Sequence, residues 1–161
     1  MVNMVIQLPC FFMQNNILQN LISEMCEIDQ KTRKMAFDQI QKTGESFSIF
    51  NLMIYSVDGI HQQRIKQIIK EYGYPTKEKI GVDILKKFWL IVQHQDMDVF
   101  LQRECLKNCD FDIEEKSHLT DRVLINEGKK QMYGTQFSQD ISDEDRIIYN
   151  KNRAEVGLVA I

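Results

Sequence analysis

Three polar clusters interrupt apolar sequence between residues 89 and 136: Gln93-His94-Gln95-Asp96, Leu119-Thr120-Asp121-Arg122-Val123, and the run Gln131–Gln136. A buried donor or acceptor left without a partner costs about 1–3 kcal/mol. Side chains that break apolar sequence in this way need one another, so the pattern predicts that His94, Asp96, Arg122 and Gln136 converge. An imidazole beside a carboxylate is the usual general base with its orienting partner, which makes His94 and Asp96 the catalytic candidates. Arg122 beside Tyr133 and Gln136 suits an anionic or carbonyl oxygen, and Gln93 adds a further amide. No serine or cysteine belongs to this set, so no covalent nucleophile is indicated. His94 with Asp96 or Asp98 falls short of three dependable metal ligands. Gly134 stands alone and reads as a turn rather than a phosphate loop. No metal and no cofactor are expected.

Two earlier positions join the candidates. Asp29 and Arg33 follow the apolar line Ile22, Cys26, Asp29, Arg33, Ala36, Ile40, and an Asp four residues before an Arg forms a helical ion pair. Spacing alone favours a solvated pair at the stripe's edge over an inward pair that lines or braces a pocket. His61 lies four residues before Ile65 on another stripe, where a histidine more often serves as a satisfied core or cap residue than as a catalytic one.

The elements that must position these groups are helical. Residues 12–43 carry Leu18, Leu21, Ile22, Met25, Met35, Ala36 and Ile40 at helical spacing, with Gly44 as the stop. Residues 46–57 are apolar and aromatic and fit either a short helix or a buried extended segment. Asp58 then reads as the N-cap of a helix bearing Ile65, Ile68, Ile69 and Tyr72, which ends at Gly73 and Pro75. Residues 82–94 are apolar on most sides, as in a helix surrounded by others. Asp96 reads as the cap of a helix through Val99, Phe100 and Leu106. A helix from Glu114 to about Asn126 stops at Gly128, and a last one begins after Ser142, with Asp143, Glu144 and Asp145 in its first turn. The expected fold is an all-α compact bundle of about six helices, one domain over 1–161, with at most a vestigial β-hairpin near residues 131–141.

A length of 161 residues suffices for one core. The net charge of −3 supplies no basic field for phosphate backbones, so nucleic acid is not an expected partner. The opening MVNMVIQLPCFFMQ lacks a basic leader and a cleavage site, and no stretch reaches the roughly 20 apolar residues of a membrane span. The four cysteines lack the paired spacings of a structural zinc site even with His118 counted. They read as reduced thiols of a soluble, cytoplasmic protein. Oligomeric state is not legible.

In order along the chain, these residues resemble a bacterial domain family of unknown function. Its pattern is matched by Asp29-Gln30-x-x-Arg33, Asp58, Gly73-Tyr74-Pro75, Gln93-His94-x-Asp96, Gln102, Leu119–Val123, Glu127-Gly128, Gln131-x-Tyr133-Gly134-Thr135-Gln136 and Arg153-x-x-x-Gly157-Leu158. The match covers about residues 25–158. Gly81 and Val82 stand in reversed order, and His61 replaces a usual Asn, so that position becomes titratable here. The segment after Gln136 is shorter than the family's glycine-containing insertion, which implies a more open pocket or an altered activity. The resemblance implies a mainly helical fold and no particular activity.

The reading that follows is a domain with a polar pocket that binds a small polar or anionic ligand or a peptide end. The ligand-binding candidates are Asp29, Arg33, His61, Gln93, Arg122, Tyr133 and Gln136. The alternatives are a hydrolase or transferase using His94 as general base, and a protein-interaction or secreted factor. A purely structural network of buried Asp–Arg pairs, amides and a histidine competes with all three.

Overall fold

The computed structural model describes residues 7–44, 49–136 and 141–161, with side chains from residue 15 onward. These residues form seven helices: α1 (Gln7–Thr43), α2 (Ile49–Tyr72), α3 (Lys77–Ile80), α4 (Val82–Gln93), α5 (Val99–Asn108), α6 (Ile113–Asn126) and α7 (Asp143–Glu155). No strand occurs among the described residues. Residues 131–136 run as an irregular turn, and 137–140, over which a hairpin was expected to extend, lie outside the described residues. The chain is therefore all-α, and the helix beyond the six expected is the single turn α3.

The chain divides into two compact units, residues 1–94 and 95–161. In the first, α1 packs against α2, α3 and α4. Leu18, Ile22, Met25 and Ala36 of α1 meet a core that includes Ile65 and Ile68 of α2, Ile80 of α3, and Leu85, Phe88, Ile91 and Val92 of α4. Burying one such side chain contributes about 1.5–3 kcal/mol. The α1 stripe recurs every three to four residues through positions 18, 22, 25, 29, 32 and 36, so Asp29 and Thr32 occupy places that an apolar residue would ordinarily fill.

Two capping expectations are corrected. Asp58 does not begin a helix: α2 starts at Ile49 and takes in residues 49–57 of the ambiguous apolar segment, whose residues 46–48 lie outside the described residues, which leaves Asp58 in the helix interior. Its face is set by its spacing to His61, Ile65 and Ile68, all of which are buried. Asp96 does not cap α5 either. Asp98 does, its carboxylate accepting from the Leu101 N–H at 2.9 Å.

In the second unit α5 packs on α6. Its buried residues include Leu101, Cys105, Cys109, Phe111, Leu119 and Val123, with Tyr149 on α7. A reciprocal cap opens α6: Asp112 Oδ1 accepts from the Glu115 N–H at 2.8 Å, and Glu115 Oε2 accepts from the Asp112 N–H at 3.0 Å. That cap fixes the register which points Asp121 inward and leaves Arg122 at the unit's edge.

Candidate functional site

The first unit brings together five ionisable side chains. Asp29 and Arg33 come from α1, Asp58 and His61 from α2, and His94 from the C-cap of α4. The Asp29 carboxylate is only 1% exposed, which overturns the solvated-pair expectation for Asp29 and Arg33. Its Oδ2 lies 2.9 Å and its Oδ1 3.1 Å from His94 Nδ1. Arg33 Nε donates to Asp29 Oδ1 at 3.0 Å, and Arg33 Nη2 donates to Asp58 Oδ1 at 2.5 Å. Gln30 Nε2 donates to Asp29 Oδ2 at 2.8 Å.

His94 Nδ1 also lies 2.9 Å from Arg33 Nε, a donor. If Nδ1 carried its lone pair, it would accept from Arg33 Nε while facing a buried carboxylate at 2.9 Å, a repulsive contact. If Nδ1 carries the proton, it donates to Asp29, and Arg33 Nε keeps its own acceptor on Asp29 Oδ1. This assigns neutral His94 as the Nδ1–H tautomer, with the Nε2 lone pair pointing away from the carboxylate. The His94 side chain is 19% exposed, so the ring retains an edge open to solvent.

The two carboxylates are driven apart. Burial acts to raise the Asp29 carboxyl, but the His94 hydrogen bond and the charge of Arg33 outweigh it and hold the group below its ordinary value. Burial raises Asp58, and there the Arg33 ion pair does not fully offset it, partly because Asp29 adds a like charge. One guanidinium shared by two acids thus favours the deeper one. His61 is pushed down by burial, with Asp29 opposing and Arg33 reinforcing the shift. His61 is buried, yet its Nδ1 has no hydrogen-bond partner among the described residues. The expectation of a satisfied core histidine is therefore corrected.

The second unit gathers Asp96, Arg122 and Gln136 around a different centre. Arg122 grips Asp96 with both arms of its guanidinium, Nε donating to Oδ1 at 2.7 Å and Nη2 to Oδ2. Asn126 Nδ2 donates to Asp96 Oδ1 at 2.9 Å. Arg122 Nη1 reaches Gln136 Oε1 at 3.4 Å, and Gln136 Nε2 donates to the His118 carbonyl at 2.9 Å. Asp96 is held below its ordinary value because Arg122 and Asn126 outweigh the effect of burial. The carboxylate bonded to His94 is thus Asp29's, and Asp96 serves Arg122.

Asp121, next to Arg122, is fully buried. Its carboxylate accepts from the N–H groups of Met132 at 2.7 Å, Tyr133 at 3.0 Å and Thr135 at 2.8 Å, and from the Thr135 hydroxyl at 2.8 Å. One side chain thereby folds the Tyr133-Gly134-Thr135 turn around itself. Gly134 has φ 63°, and a Cβ there would lie 2.6 Å from Tyr149 Cδ2. Only glycine fits both the backbone and the space. Arg153 Nη1 closes the turn from α7 by donating to the Tyr133 carbonyl at 2.9 Å. Tyr133 thus enters this network through its backbone, its side chain half-buried. Gln93 ends α4, also half-buried.

Among the described residues, no three His, Cys, Asp or Glu side chains are arranged to hold a metal ion. An open groove of about 380 Å³ between α5 and α6 is lined by residues such as Arg103, Leu106, Thr120 and Leu124, and none of the candidate residues lines it. No described helix is long and apolar enough to cross a membrane.

Sequence reasoning passed over Asp58 and Asn126 as site residues. Asp58 was findable: it stands three residues before His61 and seven before Ile65, on the face that α2 buries. Asn126 carried no such signal.

These features define an all-helical protein in which each unit holds a network of polar side chains. The chain belongs to DUF6624, a family of unknown function whose model matches residues 15–160. No curated protein and no solved structure matches it.

Proposed function

We propose that the His94 cluster is a small-molecule site in which His94, oriented by Asp29, accepts a proton from a bound hydroxyl or water. One observation carries this reading. A fully buried carboxylate lies 2.9 Å from Nδ1 of a partly exposed imidazole, a contact that favours Nδ1–H and leaves Nε2 as the unprotonated acceptor. In the step this supports, Nε2 takes the proton of a bound O–H while its oxygen attacks an electrophilic carbon or phosphorus. The imidazolium keeps its Nδ1–H on Asp29 and returns the Nε2 proton to the leaving group. Hydrolysis or group transfer to a hydroxyl is the corresponding reaction class, and a ligand-binding role without turnover is its simpler form.

The charge balance argues against the anionic ligand that the arginines suggested. Arg33 is already shared between Asp29 and Asp58, and Arg122 is occupied by Asp96. An uncharged or cationic polar ligand suits the site better. The Asp121 clamp and the Asp96–Arg122 network read as supports for the fold of the second unit. A cytoplasmic setting is supported by the free thiols Cys26, Cys105 and Cys109, all buried.

The test is a panel of neutral and cationic esters, amides and phosphodiesters assayed with wild type, His94→Gln and Asp29→Asn. The reading expects turnover that drops at least about 100-fold in His94→Gln. Saturable binding with no turnover would reduce the function to ligand capture. Neither binding nor turnover across the panel would leave the cluster as a structural network.

A further inference from the structure

His61 is 3% exposed, and its Nδ1 is enclosed with no hydrogen-bond partner among the described residues. Buried polar atoms are nearly always partnered, so an orphan beside a cluster of charged groups calls for a reason. His61 sits one helical turn beyond Asp58 on α2, and Asp29, Arg33 and His94 all act on it electrostatically. Burial disfavours its charged form, which keeps the ring neutral and leaves one nitrogen with a lone pair.

The cluster's other open position is also an acceptor. His94 offers Nε2, because Nδ1 is committed to Asp29. The charge of the strongest donor is divided, since Arg33 serves both carboxylates through Nε and Nη2. Counted without the imidazoles, two carboxylates against one guanidinium leave one negative charge. A site that is rich in acceptors and carries negative charge selects a ligand rich in donors and carrying positive charge. The ligand must also span the cluster, because no three of its His and Asp side chains close on a point suited to an ion.

We propose that His61 is a ligand-binding residue of this site, its Nδ1 accepting a hydrogen bond from a small molecule that bears a protonated amine. The inference rests on the reading of the His94 cluster as a small-molecule site. The amine N–H donates to His61 Nδ1, and its charge balances the acid that Arg33 leaves under-neutralised.

The test uses 1,4-diaminobutane as the amine probe, with erythritol as a neutral polyol and acetate as an anion. Two-bond 1H–15N spectra of the histidine rings and thermal melts are the readouts. The expected result is that the diamine, and not acetate, moves the His61 Nδ1 resonance and raises Tm by several degrees. His61→Leu should weaken that binding at least tenfold while melting no lower than wild type without the probe, since an unpartnered imidazole has been replaced by an apolar side chain. A His61 Nδ1 that is already hydrogen-bonded in the free protein would overturn the proposal. So would a probe that moves His94 and leaves His61 unmoved, a result that keeps the His94 site intact. Erythritol or acetate binding in preference to the diamine would overturn the amine assignment. A free protein in which His94 carries its proton on Nε2 would instead remove the reading on which the inference rests.

Discussion

Asp29 and His94, 65 positions apart in sequence, meet with His94 Nδ1 2.9 Å from Asp29 Oδ2. The carboxylate also neutralises Arg33, so it holds α1 against α4 while setting the tautomer of the imidazole. Removing one partner of a buried pair typically costs about 3–5 kcal/mol, because the other charge is left uncompensated. Asp29→Ala should therefore melt well below wild type. Asp29→Asn should recover part of the loss, since the amide oxygen still accepts from His94 or Arg33. Denaturant titration of both variants checks the order. Equal stability of wild type and Asp29→Ala would mean that the carboxylate is solvated in solution.

His61 gives a pH signature. Its folded-state value lies below the ordinary histidine value of about 6.5 because burial penalises the charged ring. Between the lowered value and 6.5 the unfolded chain binds the proton and the folded chain does not, so stability rises with pH across that window. Acidification from pH 7.5 towards 5 should destabilise wild type more than His61→Leu, which lacks the group. At pH 7.5 the leucine variant should equal or exceed wild type, because an unsatisfied buried polar group costs about 1–3 kcal/mol. Parallel melts at several pH values read this directly, and a pH-independent difference would contradict it.

Asp121 and its neighbour Arg122 should behave differently, although the sequence placed them together. Asp121 is fully buried and accepts four hydrogen bonds from the 132–135 turn. Asp121→Ala should cost about 3–5 kcal/mol and release that turn to hydrogen exchange. Arg122 and Asp96 are 33% and 39% exposed, so solvent screens their pair. Arg122→Ala should cost about 1 kcal/mol. Chemical denaturation of the two variants separates them, and equal losses would place Arg122 deeper than described.

Gly134→Ala should destabilise the second unit strongly. It combines a left-handed backbone at φ 63° with a Cβ 2.6 Å from Tyr149 Cδ2. Strain of this kind alone costs about 1–3 kcal/mol, before the Tyr149 ring is displaced. Loss of the fixed Tyr149 environment in near-ultraviolet circular dichroism is the expected signature. An unchanged spectrum and melt would contradict the close approach.

The helical periodicity was plain in the sequence, and so were most helix stops, because capping and apolar spacing are local properties. Burial of the Asp29–Arg33 pair was not. The i,i+4 spacing is the same for a solvated pair and an inward one, and the choice depends on α2 and α4 closing over it. His94 was legible as a candidate base, but its carboxylate was sought two residues away at Asp96. Chain proximity says little about which acid a folded helix end will face. Asp58 was mistaken for a cap because the apolar segment before it fits two structures, and tertiary packing selected the helix. The Tyr133-Gly134-Thr135 motif was legible as a turn, whereas Asp121 as the group that folds it was not, since that role needs the α6 register.

The most direct test of the account is the tautomer of His94 in the free protein at neutral pH, read from two-bond 1H–15N correlations of the assigned ring. The account predicts a proton on Nδ1 and an unprotonated Nε2, with that preference lost in Asp29→Ala. A proton on Nε2, or a tautomer mixture indifferent to Asp29, would contradict it.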